Sequence, residues 1–252
     1  MAEPSLQLGN GNWAGKSDNL LAYHKANNNF YADELTFARA STGTIVNADG
    51  LIEQVPYNLI EQSNDFDTTW QMQNSSVLSG QNGYDGSKDA WLFSWTSSTG
   101  FLYQPKNLNV ASNTISIYAK QGTSSSIRLD FVTGSFGKGA SCTFDLSSGT
   151  AGSIVHYGPS SGFSATINSV GDGWYRISLT GTTSSETWYH ELVLTSGNVY
   201  IQDAQLNSGS TAKTYYPTTT RLNIPRVDYL NNSNGSLLLE SQRTNLNTYS
   251  DP

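Results

Sequence analysis

Nine short strand-like runs recur along the middle of the chain, and in many of them apolar and polar residues alternate at every second position. Alternation of this kind is typical of antiparallel strands that bury one face. Clusters of Gly, Ser, Asn and Asp separate the runs and favour turns. Nine short strands at regular spacing predict an all-β fold, a jelly-roll-like antiparallel β-sandwich. The runs are residues 90–95, 114–119, 126–132, 141–146, 152–157, 164–167, 174–179, 188–194 and 198–206.

The two ends of the chain lack this regular alternation. Residues 1–57 and 218–252 hold several prolines and only brief apolar pieces, which are too short to form separate cores. We therefore predict that both ends pack together as a small discontinuous frame domain for docking, with a sandwich of residues 58–217 inserted into it. Residues 19–26 could form a short helix, or equally a strand with a turn, because three asparagines follow them.

Charge and composition limit the kinds of partner that we expect the protein to bind. The chain has 13 basic and 20 acidic residues, and a net charge of −7 leaves no basic stripe for a phosphate backbone, so no nucleic-acid partner is expected. No run approaches the roughly 20 apolar residues that cross a bilayer. Residues 1–12 lack a basic and then apolar leader, so neither membrane insertion nor leader-directed export is expected. The single cysteine, Cys142, excludes an intrachain disulfide, and its strand position predicts a buried side chain.

Two sets of motifs resemble known families. Residues 35–52, 221–229 and 236–246 resemble the recurrent frame of phage tail and fibre proteins, notably those of crAss-like and other Bacteroidetes phages. Motifs between these stretches resemble the carbohydrate-binding-module-like jelly rolls of phage structural proteins: residues 58–67 with Trp70, 171–176, 199–206 and 215–217.

This resemblance implies a virion protein made in the cytoplasm of the bacterial host. Its partners would be a host-surface polysaccharide or other glycan and further virion subunits, and the full-length protein could be a homotrimer. The favoured hypothesis is a non-catalytic surface protein that binds glycan through the concave face of the sandwich. The alternative is a purely architectural tail, fibre or head-decoration protein, and the third hypothesis is a polysaccharide-degrading enzyme.

Sugar binding needs flat aromatic faces beside hydrogen-bonding polar groups. The stacking candidates are Trp95, Trp188 and Tyr189, and the candidate polar partners are Arg128, His190, Glu191 and Gln202. Core filling is the alternative for every tryptophan and is the expectation for Trp174. Since neighbouring strand residues point to opposite faces, one of Trp188 and Tyr189 is expected to be buried and the other exposed.

Related jelly rolls often hold a structural calcium ion where the first strand meets the last. The resemblance places the matching carboxylates at Asp65 or Asp67 and at Asp203. Aspartates near turns also act as simple caps, so this structural Ca²⁺ site competes with a turn-forming role.

Catalytic signatures are missing from the sequence. The only histidines are His24, His156 and His190, and no nucleophile elbow, zinc-binding helix or phosphate loop occurs. Asp145 and Glu191 could in principle act as a glycosidase pair, but such a pair needs a defined separation in a cleft, which the sequence does not indicate. We therefore predict that the protein is not an enzyme.

Overall fold

The computed structural model describes residues 58–218 throughout and, outside this range, only seven short strands. The chain divides into two compact units, Met1–Val55 with Leu222–Pro252, and Pro56–Arg221. In chain order the strands are β1 (Trp13–Ala14), β2 (Tyr23–His24), β3 (Asn29–Phe30), β4 (Thr44–Val46), β5 (Ile52–Gln54), β6 (Gln71–Gln73), β7 (Ser75–Gln81), β8 (Ala90–Trp95), β9 (Gly100–Leu108), β10 (Ala111–Gln121), β11 (Ser126–Thr133), β12 (Gly139–Asp145), β13 (Thr150–Tyr157), β14 (Ser164–Gly171), β15 (Trp174–Thr183), β16 (Glu186–Leu194), β17 (Asn198–Ser208), β18 (Val227–Asp228) and β19 (Ser236–Leu237).

The second unit is built from two six-stranded antiparallel sheets. One sheet has the order β14-β15-β10-β17-β8-β7, and the other has the order β13-β12-β11-β16-β9-β6. We call them sheet I and sheet II. A 3₁₀ turn at Gly134–Phe136 is the one helical element within residues 58–218, and no helix in the described part of the chain is long and apolar enough to span a membrane.

Apolar side chains from both sheets form one continuous core. Sheet I contributes Phe93 and Ile177, sheet II contributes Leu129 and Leu192, and all four are fully buried. Burying each such side chain contributes about 1.5–3 kcal/mol relative to leaving it in water. Because these positions recur at every second residue of their strands, the intervening residues lie on the outer faces of the sheets.

A tight hairpin joins β14 to β15. Only Asp172 and Gly173 separate the strands, and both have positive φ, at 50° and 77°. This conformation is that of a type I′ turn, whose twist matches the right-handed twist of paired strands, and an Asp-Gly pair is among the sequences that adopt it. The turn predicted at residues 170–173 is therefore the two-residue turn of this hairpin.

The structure confirms the all-β, jelly-roll-like antiparallel sandwich predicted from the sequence. Each of the nine predicted runs lies within or largely overlaps a strand, but β6, β7 and β9 were not predicted. β7 is mostly exposed and lacks apolar alternation, whereas β9 contains Pro105. Proline is tolerated there because β6 pairs only with residues 101–103 of β9, which leaves β9 at the sheet edge beside Pro105.

The predicted frame domain, residues 1–57 with 218–252, falls almost wholly outside residues 58–218, so its packing stays a prediction. The same holds for most of residues 19–26, although Tyr23 and His24 within that segment form β2.

Candidate functional site

The outer face of sheet II carries a group of polar and aromatic side chains at its centre. We define the polar face as Arg128 and Asp130 of β11, Ser141 of β12, Glu191 and Tyr189 of β16, Tyr103 of β9 and Tyr157 of β13. Backbone register brings them together, since Asp130 lies opposite both Ser141 and Glu191, and Glu191 lies opposite Tyr103. Alternation places them outward because Leu129, Phe131 and Leu192, their strand neighbours, lie in the core.

Arg128 binds Asp130 through two parallel hydrogen bonds. Nε of Arg128 donates to Oδ1 of Asp130 at 2.7 Å, and Nη2 donates to Oδ2 at 2.8 Å. The Asp130 side chain is fully buried, whereas 29% of the Arg128 side chain is exposed. Bidentate pairs of this kind are among the strongest charged hydrogen bonds in proteins and hold both planes rigidly.

Burial and charge act against each other in this pair. Burial raises the pKa of Asp130, although the hydrogen bonds and positive charge of Arg128 act to lower it. Burial alone would lower the pKa of Arg128, but the hydrogen bonds and negative charge of Asp130 outweigh it and raise that pKa. Each partner therefore depends on the other for the ionised state in which it can pair.

Glu191 is the second acid of the polar face. Burial first, and the negative charge of Asp130 second, raise the pKa of Glu191 to about 7 against the opposing charge of Arg128. Its Oε2 atom is buried and has no hydrogen-bond partner among the described residues. A buried, unpaired carboxylate oxygen is costly, and the cost falls when the group takes up a proton.

Aromatic side chains flank these charges. The rings of Tyr103 and Tyr189 lie 6.0 Å apart at the centroids with a 52° tilt, and both are half-buried. On the other side, the Tyr157 hydroxyl lies 3.1 Å from the Ser141 hydroxyl, and the Tyr157 ring packs against Phe136 at 4.9 Å. The charged centre thus lies between aromatic groups that present part of their surface to solvent.

The structure corrects the candidate roles of Trp188 and His190. Trp188 is 2% exposed and His190 is 1% exposed, because their side of β16 faces the core. Trp188 packs on Phe131 with ring centroids 5.1 Å apart and donates from Nε1 to the carbonyl of Ser184 at 3.0 Å. Neither side chain can stack on or bond to a ligand on the surface, and Tyr189 is the exposed member of its pair with Trp188.

His190 is a neutral imidazole within the core. Neither ring nitrogen has a hydrogen-bond partner in the described part of the chain, and the ring lies 5.5 Å from that of Trp70. Burial lowers the pKa of His190 to about 3, because a charged imidazolium would lose its hydration there.

Trp95 and Gln202 also lie away from the polar face. Trp95 is on β8 of sheet I, where it packs at the edge of the core and donates from Nε1 to the carbonyl of Ser98. Gln202 is on the outer face of sheet I and is fully buried beneath residues 82–89. Its amide donates to Asp89 at 2.8 Å and accepts from the backbone of Tyr84 at 3.1 Å. Of the candidate glycan-binding residues, the polar face brings together only Arg128, Tyr189 and Glu191.

Trp174 is buried as expected, but outside the central core. It lies on the outer face of sheet I, in a cluster with Tyr118 and Ala90, and Tyr84 stacks on Tyr118 at 3.8 Å between centroids. This cluster covers part of the outer face of sheet I with the protein's own side chains.

The candidate calcium ligands are placed as follows. Oδ2 of Asp203 accepts from the hydroxyl of Tyr84 at 2.9 Å, and burial, with smaller contributions from neighbouring aspartates, raises the pKa of Asp203 to about 7. Burial and the neighbouring Asp67 raise the pKa of Asp65. Across the described residues, no three His, Cys, Asp or Glu side chains are grouped as metal ligands, so a calcium ion would depend on carbonyl oxygens as well, and the site stays a prediction.

Sequence reasoning missed Asp130, Tyr103 and Tyr157. Asp130 had a detectable signal, because Arg128 and Asp130 are two residues apart in an alternating strand and therefore share a face. Tyr103 and Tyr157 join the group only through the pairing of β9 with β16 and of β13 with β12, which no local pattern specifies.

Comparison with known proteins finds similar solved structures only at low sequence identity. No family model matches the chain, and no curated protein matches it. The enzymatically active domain of tailspike protein 4 of bacteriophage CBA120 aligns at 13% identity over 60% of this chain and 21% of its own length, with a TM-score of 0.38. The chain thus spans about a fifth of that domain.

Two carbohydrate-binding modules align over their whole length or nearly so. The module of Cellvibrio mixtus lichenase 5A in complex with cellotriose has 11% identity over 61% of this chain and 99% of its own, with a TM-score of 0.36. TmCBM61 in complex with β-1,4-galactotriose has 13% identity over 61% of this chain and 100% of its own, with a TM-score of 0.33. Likenesses at this level assign no function, and the class of protein, a two-sheet antiparallel β-sandwich, is defined by the chain's own strands.

Proposed function

We propose that this protein is a non-catalytic, glycan-binding component of a phage particle and that it binds sugar on the polar face of sheet II. The observation that carries the proposal is the bidentate Arg128–Asp130 pair beside Glu191, held between half-buried tyrosine rings. A saccharide offers apolar C–H faces and many hydroxyls, and this arrangement supplies surfaces for both.

Each part of the polar face has a distinct role in this proposal. Asp130 occupies Nε and Nη2 of Arg128, so the hydrogens on Nη1 are left to donate to sugar hydroxyls. The rings of Tyr189 and Tyr103 provide the partly exposed apolar surface against which a pyranose can stack. Because the ion pair and the paired strands hold these groups in place before binding, little ordering cost is added when the ligand arrives.

The state of the two carboxyl groups supports a binding role over catalysis. Glycoside hydrolysis generally needs two carboxyl groups that can exchange protons or attack the sugar. Here Arg128 engages both oxygens of Asp130, and only Glu191 has an uncommitted oxygen. A face with only one carboxyl group outside the ion pair fits sugar binding better than turnover.

The phage assignment rests on the frame motifs of the sequence. Residues 35–52, 221–229 and 236–246 resemble phage tail and fibre proteins, so we place the protein on the virion, docked through its ends to other virion subunits. A trimer of the full-length protein would present several weak sites together and raise the avidity for a repetitive host polysaccharide.

Affinity gel electrophoresis tests the proposal directly. The protein is run through gels containing galactan, arabinoxylan, mannan, β-glucan, polygalacturonate or alginate, beside Tyr189→Ala and the control Tyr200→Ala. Tyr200 is a half-buried tyrosine on the outer face of sheet I, so it matches Tyr189 in type and exposure. Retardation that Tyr189→Ala abolishes and Tyr200→Ala preserves supports sugar binding on the polar face.

Two other results would redirect the proposal. Lack of retardation in every gel favours the architectural alternative. Release of new reducing ends from a retained polysaccharide, lost in Glu191→Gln, would make the protein an enzyme instead.

A further inference from the structure

The charges of the polar face nearly cancel. The two hydrogen bonds between Arg128 and Asp130, at 2.7 and 2.8 Å, neutralise the one guanidinium on this face. Two lysines on or beside the neighbouring strands are also paired, since Lys106 pairs with Glu61 at 3.5 Å and Lys138 pairs with Glu186. Among the described residues, the polar face therefore has no uncommitted cation with which to bind an acidic sugar.

Because the Arg128–Asp130 pair is neutral, the protonation state of Glu191 decides the net charge of the polar face. The groups that face it are Arg128 and Asp130 from β11 and Tyr103 from β9, with Ser141 and Tyr157 beyond Asp130 on β12 and β13. With a proton on Glu191 the polar face is neutral overall, and without it the face carries one negative charge. The buried Oε2 has no donor to stabilise that negative charge.

We infer that the polar face selects uncharged saccharides and that Glu191 binds them as a neutral carboxylic acid. This inference rests on the proposed function and specifies its ligand class. A neutral carboxyl group has one O–H donor and one carbonyl acceptor and adds no charge to the polar face, so it suits an uncharged ligand. An ionised Glu191 would lose the donor and would repel a carboxylated or sulfated sugar.

The direction of the pH dependence follows from the protonation of Glu191. Burial first, and Asp130 second, raise the pKa of Glu191 to about 7, against the opposing charge of Arg128. The binding-competent form is therefore nearly fully populated at pH 5.5 and falls as the pH rises above 7. If only that form binds, affinity at pH 8.5 is about 30-fold weaker than at pH 5.5, because apparent affinity scales with the competent fraction.

Isothermal titration calorimetry measures this change in affinity. The wild type is titrated with the neutral polysaccharide that retards it in the affinity gels, at pH 5.5, 7.0 and 8.5 and at constant ionic strength. Glu191→Gln keeps the shape of the neutral acid and cannot ionise, so its affinity should not change over this range. Asp145→Asn is the matched control, because Asp145 is a partly exposed acid at the end of β12 whose pKa Ser147 and Ser148 lower to about 2. Asp145→Asn should follow the wild type.

A comparison of polygalacturonate with its neutral methyl ester tests the ligand class at fixed sugar stereochemistry and linkage. The neutral polymer should bind at pH 5.5 and the acidic polymer should not. Carbon-13 NMR of glutamate-labelled protein gives a ligand-free readout, since the resonance absent from Glu191→Gln should titrate near pH 7.

The outcomes distinguish failure of the inference about uncharged saccharides from failure of the proposed sugar-binding function. Binding that needs Tyr189 but is equally strong at pH 8.5, or equally strong for polygalacturonate, overturns this inference and leaves the proposed function in place. Binding that Tyr189→Ala does not affect, or no binding to any polysaccharide at pH 5.5, overturns both. A Glu191 resonance that titrates below pH 5 also overturns the inference.

Discussion

Asp130 and Glu191 lie directly opposite each other on β11 and β16, yet Arg128 binds both oxygens of Asp130 while Oε2 of Glu191 is left without a partner. One face of sheet II thus holds a neutralised acid and an uncompensated acid side by side. The unequal hydrogen bonding separates their protonation behaviour, because a carboxylate without donors retains its proton to higher pH.

Arg128→Ala should destabilise the sandwich strongly. Its loss leaves the fully buried Asp130 without a counter-charge, and removing one partner of a buried pair costs roughly 3 kcal/mol or more. Urea unfolding at pH 8 measures the change, with Lys138→Ala as the control, because the partly exposed pair of Lys138 with Glu186 is worth less than about 1 kcal/mol. The double variant Arg128→Met with Asp130→Leu should recover most of the loss. Equal, small losses in Arg128→Ala and Lys138→Ala would contradict a buried pair.

His190→Leu should reduce the sensitivity of the fold to acid. Burial lowers the pKa of His190 to about 3 in the folded state, whereas an unfolded histidine titrates near 6.5. The unfolded chain therefore binds the extra proton first, and the stability due to neutral His190 is complete above about pH 6.5 and is lost as the pH falls towards 3. Leucine fits an apolar environment and leaves no imidazole nitrogen unpartnered.

Thermal unfolding between pH 7 and pH 4 gives the comparison for His190→Leu. The variant should lose less stability over this interval than the parent, and the exposed His156→Gln should behave like the parent. An unchanged slope in His190→Leu would show that His190 is solvated or paired in solution.

Trp188→Ala should reduce the stability of the fold, whereas Tyr189→Ala should reduce sugar binding, although the two residues are neighbours. Trp188 fills the core, so its truncation should cost about 3–5 kcal/mol, whereas Tyr189 lies on the polar face and its truncation should cost far less. Urea unfolding measures the first effect and the affinity gels measure the second. A large stability loss in Tyr189→Ala with little effect of Trp188→Ala would reverse the assignment of the two faces of β16.

The predicted calcium ion can be tested by its effect on stability. If Asp65 or Asp67 and Asp203 hold calcium, millimolar calcium should raise the melting temperature of the wild type, because a ligand that binds only the folded state stabilises it. Chelation with EDTA should reverse the rise, and Asp67→Asn and Asp203→Asn should weaken it. Identical melting curves with calcium and with EDTA would refute the prediction.

The sequence determined nine of the twelve strands of the sandwich and the alternation of their side chains, but it did not determine which side of β16 is buried. Alternation in residues 126–132 and 188–194 places Leu129 opposite in face to Arg128, and Leu192 opposite in face to Glu191, because a strand has a side-chain period of two. The same reasoning established that only one of Trp188 and Tyr189 is exposed. It failed for β6, β7 and β9, where exposure or a proline removes the apolar alternation that identifies a strand.

Only the tertiary structure decided which strands lie side by side and which candidate residues form one site. Gln202 and Glu191 both lie in strands that the sequence predicted, but they lie on different sheets, and residues 82–89 bury Gln202 while Glu191 joins Arg128 and Asp130. Strand order arises from pairings between residues far apart in the chain, and local patterns carry no information about them. The charges of the polar face, and the protonation of Glu191 that follows from them, are therefore properties of the folded sandwich.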